Sequence, residues 1–165
     1  MKRALIAGVT MCALLLVPGC RYHLNGGGLP ADIKSVAIIP FDNETASAEL
    51  QHELNEALRG SFASKLGLKE AGEDKASAVV RGKIVSYDLD VATAFSANPA
   101  QATSSRRQLK VSVHVEIFDT IRNKSLWTGD LVAVGDYPEG GEASGRKQAI
   151  EKIVTDVIQG AQSQW

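Results

Sequence analysis

Leu109-Lys110-Val111-Ser112-Val113-His114-Val115-Glu116-Ile117 alternates apolar and polar residues without a break. Side chains on a β-strand point to opposite faces in turn. The stretch therefore predicts a half-buried strand, aliphatic toward a core and polar toward solvent or a partner. An antiparallel sheet tolerates one wet face, whereas a parallel sheet covered on both sides reads as a continuous apolar run. Asp119 to Lys124 predicts a turn, and Ser125 to Tyr137 the returning strand of a hairpin, with Trp127 near its start.

The rest of the chain supplies what this hairpin needs to pack on. Downstream, Pro138 to Gly145 is a loop with three glycines. Ala149, Ile150, Ile153, Val154, Val157, Ile158 and Ala161 then recur at spacings of three and four, one apolar stripe on a helix. Upstream, Asn98 to Ser105 is a polar loop. Before it, Ala78 to Val91 predicts a strand whose apolar set changes face midway. Val80, Gly82 and Ile84 lie on one side and Val85, Tyr87, Leu89 and Val91 on the other, which suggests a β-bulge.

Leu50, Leu54, Ala57, Leu58, Phe62 and Leu66 make a second helical stripe, with Glu49 suited to its first turn. Gly67-Leu68 has the form of a left-handed cap with its hydrophobic contact. Lys34 to Phe41 is nearly all apolar and stopped by Pro40, a short buried strand. The order is β-α-β-β-β-α. It predicts an α+β two-layer sandwich, a mostly antiparallel four-stranded sheet with two helices on one face.

The N-terminus predicts an address. Met1-Lys2-Arg3 is followed by an apolar run from Ala4 to Val17, broken only by Gly8 and Thr10. That is the layout of a secretory signal, and the run is shorter than the ~20 apolar residues of a membrane span. Gly19-Cys20 at its end resembles a bacterial lipobox, in which Cys20 would be acylated and the peptide cut before it. The expected organisation is a lipoprotein signal peptide over residues 1–19, a lipidated flexible leader over 20–32 containing Gly26-Gly27-Gly28, and a single domain over 33–165. One acyl chain binds a membrane marginally, while two or more hold a protein there.

Several chemistries find no support in these residues. Loss of Lys2 and Arg3 with the signal takes the basic count from 18 to 16 against 19 acids, a net charge near −3. Such a charge argues against nucleic acid as a partner. Cys12 leaves with the signal and Cys20 is consumed by lipid, so no thiol remains for a disulfide, a metal or a nucleophile. His23, His52 and His114 have no ligand spacing among them. Gly140 to Lys147 misses the phosphate-loop pattern, with its lysine one place late and Glu142 inside. Asp88 and Asp90 share a predicted strand face, but nothing beside them predicts a catalytic pocket. The expectation is a non-enzymatic protein without a cofactor beyond the lipid on Cys20. What remains is surface: Arg106, Arg107 and Lys110 at the hairpin entry are candidate contacts for phosphorylated lipid or an acidic partner loop, since Arg forks match phosphate oxygens.

Gly19-Cys20-Arg21-Tyr22-His23-Leu24, with Leu29-Pro30 and Ile33 through Pro40-Phe41-Asp42-Asn43-Glu44-Thr45, resembles the opening of the lipopolysaccharide-assembly lipoprotein E family. Ala76-Ser77-Ala78-Val79-Val80-Arg81-Gly82-Lys83-Ile84 is similar to a further family segment, with Ser77 where Asp is usual. Leu126-Trp127 and the last amphipathic helix also fall where the family has them. The resemblance covers nearly all of residues 19–165. It implies an outer-membrane lipoprotein facing the periplasm, seated as a plug inside a large β-barrel, the lipopolysaccharide-assembly protein D, and able to bind lipopolysaccharide. The family's lipopolysaccharide-contacting residues do not map onto particular positions here. Val36 to Asn43 is also similar to the first strand of periplasmic lipoproteins of the curli-secretion and peptidoglycan-synthase-activator group. That is the rival reading, a regulatory binding module.

Overall fold

The computed structural model describes residues 29–90 and 106–163. The predicted signal peptide, Cys20, the glycine triplet and the predicted Asn98–Ser105 loop lie outside the described residues.

The first apolar run becomes two short strands, β1 (Ser35–Ile38) and β2 (Asp42–Asn43), separated at Pro40, which has no N–H to give a ladder. Phe41 follows, fully buried, its ring against the backbone at Gly82 where a Cβ would collide with it. The turn after it builds the start of a helix. Asn43 Oδ1 accepts from the Thr45 N–H at 3.0 Å and from Thr45 Oγ1 at 2.7 Å, and Asn43 Nδ2 donates to the Ser47 carbonyl. Ser47 then caps α1 (Ala48–Leu66) by accepting from the Leu50 N–H. Leu50, Leu54, Leu58 and Phe62 are buried from this helix, and Ala57 and Leu66 pack at its margin. Gly67 ends it at φ +66°, with its N–H turned back to Phe62 and Leu68 buried, as the predicted cap requires.

Beyond α1, β3 (Lys69–Glu70) pairs parallel with β1, because the helix has carried the chain back to where it started. β4 (Ala78–Asp88), β5 (Arg106–Asp119) and β6 (Lys124–Pro138) form an antiparallel meander, and α2 (Glu142–Ser163) follows. The sheet order is β3-β1-β4-β5-β6, with β2 alongside β4.

The α+β sandwich with both helices on one face is therefore present, with differences of detail from the sequence reading. The sheet has six strands instead of four, and β1 and β2 pair parallel with β4. β2 and β3 are two residues each, too short for any alternation to register. The register of β4 slips between Ile84 and Ser86, which leaves Val85 as the extra residue and 47% exposed. That is the bulge announced by the apolar set changing face. α2 begins at Glu142, so the last residues of the predicted loop form its first turn.

One continuous core joins the two helices to the inner face of β1, β4, β5 and β6. α2 approaches β6 so closely that a Cβ on Gly135 would run into the Gly145 carbonyl. A small second cluster, Ala37, Ala76 and Val79 with Ile39 and Ala71, sits on the other side of the sheet under the β3–β4 connection. Leu29 already packs against the main core, ahead of the expected domain start at residue 33.

Candidate functional site

The face of β4, β5 and β6 turned away from the helices is the surface that the Leu109–Ile117 alternation predicts. Register sets it out in four rows: Arg81-Glu116-Thr128, Lys83-His114-Asp130, Ser86-Ser112-Val132 and Asp88-Lys110-Val134. Arg81 Nε lies 2.8 Å from Glu116 Oε2, and its guanidinium sits 5.2 Å over the Phe118 ring. His114 Nδ1 meets Asp130 Oδ1 at 2.6 Å. Lys83 reaches sideways to Glu44 at 2.9 Å, and that hydrogen bond raises its pKa above the ordinary lysine value. Lys110 Nζ is 3.6 Å from Asp88.

Each cation in these rows has a carboxylate beside it. Exposed pairs of this kind contribute about 0–1 kcal/mol, so they exchange readily for a partner's charges. Chemically the face is a hydrated, charge-balanced plate with two bare valines at its β6 margin.

The candidate cations do not form one patch. Arg107 and Lys110 lie on opposite faces of β5, three residues apart on an alternating strand. Arg107 holds Asp90 at 3.1 Å and Glu139 at 3.2 Å on the helix side, where Tyr137 Oη also donates to Asp90. Lys110 stands on the polar plate. Arg106 opens β5, and its side chain lies outside the described residues. Asp88 and Asp90 also part company, since the chain turns at Asp90 with φ +55° and swings it away from the plate. His52 lies on α1 beside a groove shared with Lys147 and Ile150 of α2, far in the fold from His114. Among the described residues no group of His, Cys, Asp and Glu is placed to hold a metal ion. No described helix is long and apolar enough to cross a membrane.

Sequence reasoning missed the most connected polar cluster. Arg146, buried on α2, donates to Glu53 at 2.8 and 2.9 Å, to Glu49 at 3.0 Å and to Glu142 at 3.4 Å. Tyr87 Oη on β4 donates to the same Glu142 at 2.5 Å, so one network ties the sheet to both helices. The Arg146 hydrogen bond holds the Glu53 carboxyl below its ordinary range against the opposing effect of burial. Burial, reinforced by the Glu142 bond, pushes the Tyr87 phenol up to about 12. The only sequence signal was position: Arg146 falls one turn before Ala149 and Ile150, on the buried stripe. Glu142 and Arg146, both within Gly140 to Lys147, are members of this cluster.

A family model described as LptE, lipopolysaccharide-assembly, matches residues 33–161. No curated protein matches the chain by sequence. Among solved structures the chain is similar to a Xanthomonas campestris protein (TM-score 0.55, 6% identity, covering 79% of this chain and 87% of that one). It is also similar to PelC of Paraburkholderia phytofirmans, solved as a dodecamer (TM-score 0.54, 16% identity, 83% and 95% covered). A third likeness is to a hypothetical protein of Chlamydia trachomatis (TM-score 0.52, 16% identity, 78% and 97% covered). At these identities the likeness is one of fold.

Proposed function

The chain belongs to the LptE family of lipopolysaccharide-assembly proteins, and from that membership we propose that it is an outer-membrane lipoprotein, held by lipid on Cys20 at the periplasmic side, that plugs and assists a β-barrel lipopolysaccharide translocon. It works by fitting and not by turnover. The observation that carries the reading is the polar plate of β4, β5 and β6. Three long strands present ion pairs and hydroxyls on one side, while both helices seal the apolar side of the same sheet. A barrel lumen is polar and water-filled, so such a face enters it without stripping uncompensated charge. Arg107 and Lys110, each holding an exposed carboxylate, are the positions where a lipopolysaccharide phosphate would exchange for the resident partner.

A photoreactive residue in place of Ser112, in the middle of the plate, tests this in native membranes, with Glu151 on exposed α2 as the comparison site. The expected adduct from position 112 is a large outer-membrane barrel. An adduct with a cell-wall synthase or a secretion pore at that position would support the regulatory module instead.

A further inference from the structure

β6 is an edge of the sheet and runs for 15 residues. Along an antiparallel strand, successive residues direct their backbone groups to opposite sides. In β6 the even-numbered residues from Thr128 to Asp136 turn theirs away from β5, since the Asp136 N–H donates to Gln148 Oε1 on α2, at 3.2 Å. That contact covers the Asp136 end. The N–H groups of Thr128, Asp130, Val132 and Val134 have no hydrogen-bond partner among the described residues. Their side chains all lie on the polar plate, where Val132 is 59% and Val134 44% exposed.

Long free edges are ordinarily blunted by a lysine, a proline or a bulge. From Gly129 to Tyr137 β6 has none of these, and its only charged residues are Asp130 and Asp136. The register irregularity falls earlier, beside Trp127.

We propose that the Thr128–Val134 edge of β6 takes up an extended segment of another protein by strand addition, one in which two apolar side chains meet Val132 and Val134 and a basic side chain stands at each end, near Asp130 and Asp136. Backbone bonds supply attraction in this mode, and the alternate side chains supply selectivity. A second copy of the chain fits less well. Pairing about Ala133 opposes Asp130 of each copy to Asp136 of the other, and pairing about Asp130 opposes identical carboxylates. A register about Val132 avoids like charges but gives none of the four carboxylates a cation from the other copy. The inference rests on the edge itself and not on the barrel reading, so either stands if the other fails.

The test is amide hydrogen exchange on the full-length lipoprotein in detergent, with and without the peptide Lys-Thr-Val-Thr-Val-Thr-Lys at about 1 mM, a concentration that detects weak strand addition. The expected result is protection of the Asp130, Val132 and Val134 amides by about tenfold or more, weakened by salt. Val132→Pro removes an outward N–H without touching the ladder to β5, and is expected to abolish the effect. Val134→Lys, at an exposed position, is a second variant that repels the peptide and leaves the backbone intact. Absent protection, equal protection by the peptide with Glu at both ends, or equal protection in both variants would overturn the proposal. So would a peptide-free protein that elutes as a dimer with these amides already protected, since that identifies a second copy as the occupant.

Discussion

Asn43 does two jobs in one turn. Its side chain closes the turn onto Thr45 and then holds the Ser47 carbonyl, so a single residue sets both the exit from β2 and the cap of α1. Ser77 Oγ accepts from the Lys34 and Ser35 N–H groups and donates to the Ser35 carbonyl. Arg146 bears more weight. Arg146→Met is expected to lower stability by about 2 kcal/mol at neutral pH; its carboxylate partners reach solvent, which keeps the loss below that of a fully enclosed pair. Thermal melts check this. Glu53 titrates lower in the folded chain than its ordinary 4.5. Its contribution is therefore complete above that value and is lost as pH falls through the folded pKa. Tyr87 runs the other way, from an ordinary 10.0 to about 12 when folded. Its contribution is complete below pH 10.0 and is lost as pH rises through about 12. The gap in melting temperature between native chain and Arg146→Met should narrow toward acid; a gap constant from neutral pH to about pH 3 would exclude the network as its source.

At the scale of elements, the two helical stripes and the strand alternation were readable because burial on one side imposes a period. α1 illustrates the energetics. Leu54 is fully buried in the centre of its stripe. Leu54→Ala should cost about 2–5 kcal/mol through lost transfer energy and the cavity left behind. Leu54→Asp, which buries an unpaired charge, should leave no cooperative transition in a denaturant titration. An unchanged midpoint in either variant would remove this stripe from the core. The Val85 bulge was readable for the same reason, as a break in a period of two. β2 and β3 were not, because two residues carry no period and their pairing depends on what α1 brings alongside. The helix start at Glu142 was hidden by glycines, one of which, Gly145, sits where a Cβ would press on the Tyr137 ring of β6 at 2.9 Å.

At the scale of the whole molecule, the polar plate and the helix layer take opposite sides of one sheet, and the proposed lipid on Cys20 would hold both at a membrane. Cys20→Ala is expected to release a folded domain from membranes, seen as a shift to the soluble fraction and loss of labelled palmitate. Continued palmitate incorporation in that variant would reject Cys20 as the attachment site. Reversing Arg106 and Arg107 to Glu should weaken lipopolysaccharide binding several-fold at low salt, where charge contributes most. Arg107 already neutralises Asp90 and Glu139, so the reversal also sets three acids together at that corner. Equal affinity in a binding titration would remove the corner from the contact surface. Lys110→Glu, on the opposite face, tells the two sides of β5 apart in the same titration.

The sequence alone determined that one sheet has a dry face and a wet face, that two helices cover the dry one, and the family this chain resembles. Those follow from periodicity and local motifs, which depend on near neighbours along the chain. Tertiary structure alone decided that Arg107 and Lys110 part to opposite sides, that each cation of the plate already has an acid beside it, and that Arg146 joins three carboxylates. It also decided that β6 ends the sheet with its backbone open. Pairing across strands and helices depends on register and on the approach of distant segments, and a one-residue shift in either would have paired different charges.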